Sequence, residues 1–412
     1  MINTKLLIEY AKLIVKVGAN VQKNQVVVIN SILEAQPLTK LVVEQAYLAG
    51  AKNVIVHWND AEISKLNYKY KDLKTLSTIK QYEIDYLTKP IIEEGGCRIS
   101  IGGNSPAAFK DVDSNKLKEG MKALSTALKD LRNWTMASKC QWTIAYYPSK
   151  AWAKMVFPKL SDEKAVEKLF EAILKTVRVG EKKSAIELWK QHNVETKKWA
   201  TILNKYNFDY LTFKNKLGTN VAIKLVKNHI WESGGNPKTK TLPEFTPNLP
   251  TEEVWTMPDM NGINGVVVAS KPLSYNGNII NNFKFEFKNG KVIKHEAKVG
   301  KKILDDILSI PGANRAGEIA LVPKTSPINK TGILFYATLF DENASCHIAL
   351  GASYPTNIKN GVDLSKDELK KLGSNDSIVH IDFMFGTDDM NVLGFKGTNK
   401  PVEIMKNGLL VI

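Results

Sequence analysis

Cysteine is scarce in this 412-residue chain: Cys97, Cys140 and Cys346 are all there are, and no two form a CxxC pair. So sparse and odd a set excludes a disulfide framework and a structural zinc knuckle. It leaves Cys97 and Cys140 to act as small buried hydrophobes beside strands. Arginine is nearly as rare. Of 57 basic residues only Arg98, Arg132, Arg178 and Arg315 are arginine. The formal net charge of +15 therefore comes from lysines, and these are scattered along the chain. Nucleic-acid recognition leans on arginine for bidentate and stacked contacts, so the charge predicts a solvated surface and no nucleic-acid partner. Long apolar runs are also missing. Nothing approaches the roughly 20 residues that cross a bilayer, so no membrane partner is expected. Met1-Ile2-Asn3-Thr4-Lys5 leads into an amphipathic pattern without the sections of a signal peptide, which predicts a cytoplasmic location.

What is present has the balance of a globular protein, with 43% hydrophobic and 24% charged residues, and a length that suits two domains. Leu6, Leu7, Tyr10, Ala11 and Ile14 recur at helical spacing before Gly18. Val26-Val27-Val28-Ile29 is a short apolar run of the kind buried on both faces of a parallel sheet. Helical and strand patterns then alternate through Val54-Ile55-Val56, a helix over 117–131, and the strands 98–101 and 142–146. This rhythm predicts a doubly wound α/β domain with a parallel sheet. No GxGxxG follows a strand, so no cofactor is assigned to this half. Helices over 163–179 and 185–206 form a bridge, and the first domain is placed at 1–205. Beyond it the pattern becomes strand-rich, with hairpin signals at Asn289-Gly290 and Asn407-Gly408 and a short helix over 303–308. A β-rich α+β domain is placed at 206–412.

Metal-ligand residue types gather in that second half. His380 and Asp382 lie two apart in an apolar strand, so both project from one face. A charge buried there is costly unless paired or metal-bound; a His–Asp core pair is the alternative. Glu318 opens the run Glu318-Ile319-Ala320-Leu321-Val322 and could instead pair with Arg315. Glu252 and Glu253 follow Pro250-Thr251 and could form a solvated turn. His347 follows Cys346 and could be a satisfied core histidine. Taken together, two histidines and three carboxylates suit a site for two divalent metals, with zinc, cobalt or manganese fitting the donors. His57, His192, His229 and His295 read as surface or locally hydrogen-bonded groups.

Three segments resemble the M29 family of metallopeptidases, the thermophilic aminopeptidases. They are Asn248-Leu249-Pro250-Thr251-Glu252-Glu253-Val254, the run from Gly312 to Pro323, and the run from Thr338 to Gly351 through Asp341-Glu342-Asn343-Ala344-Ser345-Cys346-His347. The resemblance implies an aminopeptidase acting on peptides with a free N-terminus, usually as a homodimer. It implies Glu252, Glu318, His347, His380 and Asp382 as metal ligands, with Tyr354 lining the site. On that basis Glu318 is expected to bridge two metals, Glu252 and Asp382 to hold one, and His347 and His380 the other. Glu253 is expected as general base, and Tyr354 or Arg315 as stabiliser of the oxyanion. Two rivals stand beside this: a mononuclear iron ring-cleaving dioxygenase of similar fold using His347, His380 and Asp382, and a non-enzymatic binding protein.

Overall fold

A computed structural model describes residues 3–136, 139–235, 242–275 and 278–412. The chain forms two compact units, Met1–Gln191 with Gly235–Pro250, and His192–Gly234 with Thr251–Ile412.

In the first unit, β1 (Val26–Ile32), β2 (Asn53–Asn59), β3 (Cys97–Gly102) and β4 (Trp142–Tyr146) form a parallel sheet of order β2-β1-β3-β4. Val26, Val27, Val28 and Ile29 are all buried, as a strand covered on both faces requires. The helix Thr4–Leu13 is capped by Asn3, whose side chain accepts from the Lys5 amide. It runs on into a π turn, Ile14–Gly18. Gly18 is needed there for close approach: a Cβ would stand 2.8 Å from Thr143 Oγ1. The helix expected over 117–131 is two helices, Ser114–Ala127 and Lys129–Met136, because Leu128 leaves the helical region with ψ 19°. The helices Ala61–Tyr70 and Leu73–Leu76 bury no residue, which is why no apolar stripe announces them.

The division between units falls inside the helix Ala185–Tyr206, where the sequence placed it after residue 205. Residues 242–250 also return to the first unit. The Ile144 amide donates to Pro247 O at 2.7 Å and the Leu249 amide to Ile144 O at 2.9 Å, so the segment lies along the open edge of β4.

The second unit is β-rich, as expected. Its strands are β5 (Tyr210–Lys214), β6 (Asn220–Leu225), β7 (Glu232–Ser233), β8 (Val254–Thr256), β9 (Pro258–Val268), β10 (Leu273–Tyr275), β11 (Asn278–Lys288), β12 (Lys291–Val299), β13 (Ala316–Leu321), β14 (His347–Gly351), β15 (His380–Met384), β16 (Asn391–Phe395), β17 (Val402–Lys406) and β18 (Leu409–Leu410). Among the described residues they make two antiparallel sheets. The larger has the order β10-β11-β9-β6-β5-β16-β17-β18, with β12 beside β11; the smaller has the order β15-β14-β13-β8-β7. Both expected hairpins form. Asn289 and Gly290 have φ of 49° and 74°, and Asn407 and Gly408 have 46° and 74°, the left-handed pairs that a two-residue turn between right-twisted strands needs.

Phe283 and Phe285 of β11 meet Phe383 of β15, with ring centroids 5.6 and 5.0 Å apart. Ile319, Ile348 and Ile381 join the same core. Each such side chain, fully buried, contributes about 1.5–3 kcal/mol. One face of the smaller sheet is thereby committed to apolar packing, and the period of two sends its alternate residues to the other face. No helix among the described residues is long and apolar enough to cross a membrane. All three cysteines are free and buried. Burial pushes their thiols up, Cys97 to about 12 and Cys140 and Cys346 to about 11.

Candidate metal centre

The register of the smaller sheet assembles the site. Glu318 on β13 pairs with Ala349 on β14, and Ala349 with Asp382 on β15. His347 and His380 lie two residues from Ala349 and Asp382 along their own strands, so all four functional side chains share one face. Ala349, between the two carboxylates, is small enough to leave space over the sheet. A register shift between Ala316 and Glu318 centres on Gly317. A Cβ at Gly317 would lie 2.2 Å from Ala352 O, so only glycine permits the bulge that aims Glu318.

Two groups of donors result, and both contain Glu318: Glu253 with Glu318 and His347, and Glu318 with His380 and Asp382. His347 Nε2 is 2.9 Å from Glu253 Oε2 and 3.5 Å from Glu318 Oε1. His380 Nε2 is 3.7 Å from Glu318 Oε2 and 3.5 Å from Asp382 Oδ2. Each imidazole is anchored by its other nitrogen. His347 Nδ1 lies 3.2 Å from Ser345 O, and His380 Nδ1 lies 2.7 Å from Ala352 O. A carbonyl only accepts, so Nδ1 carries the proton in each ring and Nε2 faces the carboxylates, the arrangement that prepares histidine for a metal. The Tyr354 ring packs on His380 with centroids 4.7 Å apart.

The electrostatics show a site short of positive charge. Burial raises the Glu318 carboxyl above its ordinary value, with His347 opposing. Glu342 is raised well above its ordinary value by burial and then by the charges of Asp382 and Glu253. Burial pulls His347 down, but Glu253 and Glu318 outweigh it and hold the imidazole well above its usual range. His380 is carried to about 9, as Asp382 and Glu318 overcome the same desolvation. Asp382 is lowered, because His380 and His347 outweigh burial. Burial and the surrounding carboxylates hold the Tyr354 phenol well above 10, so it is a hydrogen-bond donor at neutral pH.

Three expected residues stand differently. Glu252 does not enter either donor group: its Oε2 lies 3.8 Å from His192 Nε2, and its amide donates to Asn343 Oδ1 at 2.7 Å. Glu253 takes the place beside His347. Residues 251–253 precede β8 without strand geometry, so strict alternation does not decide which carboxylate turns inward. Arg315 is not brought to the cluster. Its Nη1 donates to Asn261 Oδ1 at 3.0 Å and Asn289 O at 3.2 Å, where it ties the Asn289-Gly290 turn to β9 of the larger sheet. Each donor group contains one histidine, whereas the expected pairing assigns both histidines to one cation. His192 is buried and bonded to Thr251 O at 2.8 Å, so it steadies the Glu252 segment. Glu342 joins the cluster unforeseen. Its sequence signal was its place four residues after Thr338 in a short helix, Thr338–Glu342, which ends over β15.

The family described as thermophilic metalloprotease (M29) matches residues 3–410. The chain belongs to this family. Aminopeptidase 2 of Geobacillus stearothermophilus is 39% identical over 405 residues, 98% of this chain and 97% of that protein. Aminopeptidase PepS of Streptococcus thermophilus is 40% identical over 409 residues, again 98% and 97%. Among solved structures, wild-type AmpT from Thermus thermophilus matches with a TM-score of 0.92 at 33% identity, covering 99% of each chain. A 2,5-dihydroxypyridine dioxygenase from Pseudomonas putida matches at 0.56 with 10% identity, over 100% of this chain and 98% of that one; this is a likeness of fold alone. An M29 metalloprotease works with divalent metal, and the residues present fit one. Asp382 Oδ1 is buried with no hydrogen-bond partner, and Glu253, Glu318 and Asp382 crowd carboxylate oxygens around two imidazole nitrogens, a donor set that a cation would reconcile.

Proposed function

We propose that the chain is a metal-dependent aminopeptidase that removes N-terminal residues from peptides, and that it would hold two divalent cations, with Glu318 contributing a donor toward each. The observation that carries this reading is the pair of donor groups meeting at one carboxylate, each with a single imidazole whose Nδ1 is tied to a backbone carbonyl. Glu253 and His347 would hold one cation, and His380 and Asp382 the other. Zinc, cobalt and manganese suit mixed carboxylate and imidazole donors. When bound, such cations act as Lewis acids that polarise a carbonyl and acidify water.

The chain's own residues supply the rest. The carboxylates around the site would attract a protonated α-amine, which favours peptides with a free N-terminus. Tyr354, whose phenol keeps its proton, would donate a hydrogen bond to the oxygen of the tetrahedral intermediate. Glu342, beside Asp382 and outside both donor groups, would carry the proton to the departing amine. Glu253 was the expected base, but its 2.9 Å approach to His347 supports a ligand role instead. Glu252, behind Glu253, would orient the loop through Asn343 and His192. A homodimer in the cytoplasm belongs to the same proposal, the dimer resting on the family resemblance alone, and light scattering of the purified protein tests the dimer.

The primary test is hydrolysis of aminoacyl-p-nitroanilides after chelation and after adding back zinc, cobalt or manganese, with metal content measured alongside. Metal-restored activity confined to substrates with a free N-terminus, at two cations per chain, is the expected result. One cation per chain would overturn the shared-carboxylate arrangement. Activity indifferent to chelation would overturn the reading altogether.

A further inference from the structure

Far from Glu318 in the sequence, the first unit holds a cavity of about 500 Å³, a size typical of small-molecule sites. Its walls are Met121, Leu124, Leu128 and Leu131. Its floor is one face of the parallel sheet, where Arg98 and Ser100 of β3 lie beside Trp142 and Ile144 of β4. Alternation explains the split: Cys97, Ile99 and Ile101 face the other side and are buried.

Two polar groups of this floor are donors without acceptors. Arg98 Nε and Trp142 Nε1 are buried and have no hydrogen-bond partner. Arg132 also lines the cavity, but it is tied to Ser125 Oγ. No carboxylate is among the described lining residues. Burial pulls the Arg98 pKa down, and the group acting against it is Cys140, whose thiol is itself raised to about 11. A guanidinium stays charged under such conditions. It thus sits behind apolar walls with no counter-charge, and leaving such a donor unmet is costly. The cavity's chemistry calls for an anion, and its walls call for hydrocarbon.

We propose that this cavity binds a monocarboxylate carried on an unbranched apolar chain, with the carboxylate on Arg98 and Trp142 Nε1–H and the hydrocarbon along Leu124, Leu128 and Leu131. Carboxylate suits the planar fork of arginine. The lack of any acidic acceptor in the lining disfavours a ligand with a free amine, so the site does not select the peptides or amino acids that the metal centre would handle.

The probes are octanoate, 1-octanol and octylammonium, titrated calorimetrically into the metal-loaded full-length protein. Octanoate binds one equivalent, and the alcohol and amine bind at least about tenfold more weakly, since each lacks the charge-assisted pair. Arg98→Gln weakens octanoate by at least about tenfold while leaving p-nitroanilide hydrolysis unchanged. Leu124→Glu is the second variant. Leu124 is 44% exposed, so the substitution is tolerated by the fold and places a negative charge at the rim; it weakens octanoate to a similar degree. The proposal is overturned if octanoate fails to bind, if octanol binds as well, or if both variants bind octanoate as the parent does. Unchanged binding that competes with hydrolysis would assign the carboxylate to the metal centre instead.

Discussion

On the parallel sheet of the first unit the Arg98 guanidinium stands among apolar walls with its Nε unmet, its neighbour Arg132 tied to Ser125 Oγ, and no carboxylate among the described residues of the cavity lining. On the smaller sheet of the second unit, Glu253, Glu318, Glu342 and Asp382 crowd around two imidazoles. One region holds an uncompensated positive charge and the other an excess of negative charge. Since an isolated buried charge is poorly tolerated, the sign of each imbalance indicates the sign of what is missing: an anion in the first unit, cations in the second. The difference in number matters too. One arginine with an unmet donor needs one partner and accepts a simple one, whereas carboxylates forced together need multivalent charge and fixed geometry.

The sharpest way to break this comparison is to remove the carboxylate common to both donor groups. Glu318→Gln should release both cations and take hydrolysis to background, read by metal analysis and p-nitroanilide turnover; loss of one cation only would mean that the groups fill independently. Next in size, Tyr354→Phe should lower kcat by about 10²–10³-fold with KM little changed, as for a lost oxyanion donor, and with metal content intact. Smaller again is Glu252→Gln, expected to cost about 10–100-fold as a residue supporting the ligands from behind. A larger loss than that of Glu253→Gln would exchange the roles of these neighbours.

A stability measurement extends the contrast to a carboxylate that serves the fold. Asp341 is buried and accepts from the Phe335 amide at 2.8 Å and the Ala337 amide at 3.1 Å. Asp341→Ala leaves both donors unmet and should destabilise the metal-free protein by about 2–4 kcal/mol, read from urea unfolding. The pH dependence has a defined sign. Burial raises the Asp341 carboxyl from its ordinary 3.8 to about 7, against its backbone donors. The folded state therefore retains a proton that the unfolded chain releases, so the stabilisation is full below about pH 4 and is lost as pH rises toward about 7. The penalty of Asp341→Ala should accordingly shrink over that interval.

Much of this architecture was legible beforehand. Short apolar runs announced β1 and β4, and Asn-Gly pairs placed both hairpins. The spacing of His380 and Asp382 put two donors on one face, because a strand's period is independent of tertiary context. What escaped detection depended on contacts distant in sequence. Residues 242–250 return to the edge of β4 about 100 positions after that strand. The inward turn of Glu253 rather than Glu252 depends on a stretch without strand geometry, held by Asn343 and His192. Proximity in sequence offers Arg315 as a partner for Glu318, but the Asn289 carbonyl and the Asn261 side chain claim it.

Cys346 adjoins His347 yet points into the core, 3.6 Å from Val322 O and 3.8 Å from Met405 Sδ. With its thiol raised to about 11, it carries almost no thiolate at neutral pH, and thiolate is the form that alkylating agents and soft metals attack. Cys97 and Cys140 are shielded in the same way. The protein should therefore keep its activity in iodoacetamide and in air without added reductant. That tolerance would distinguish it at once from peptidases whose nucleophile is sulfur, and would make chelators the reagents to which it is vulnerable.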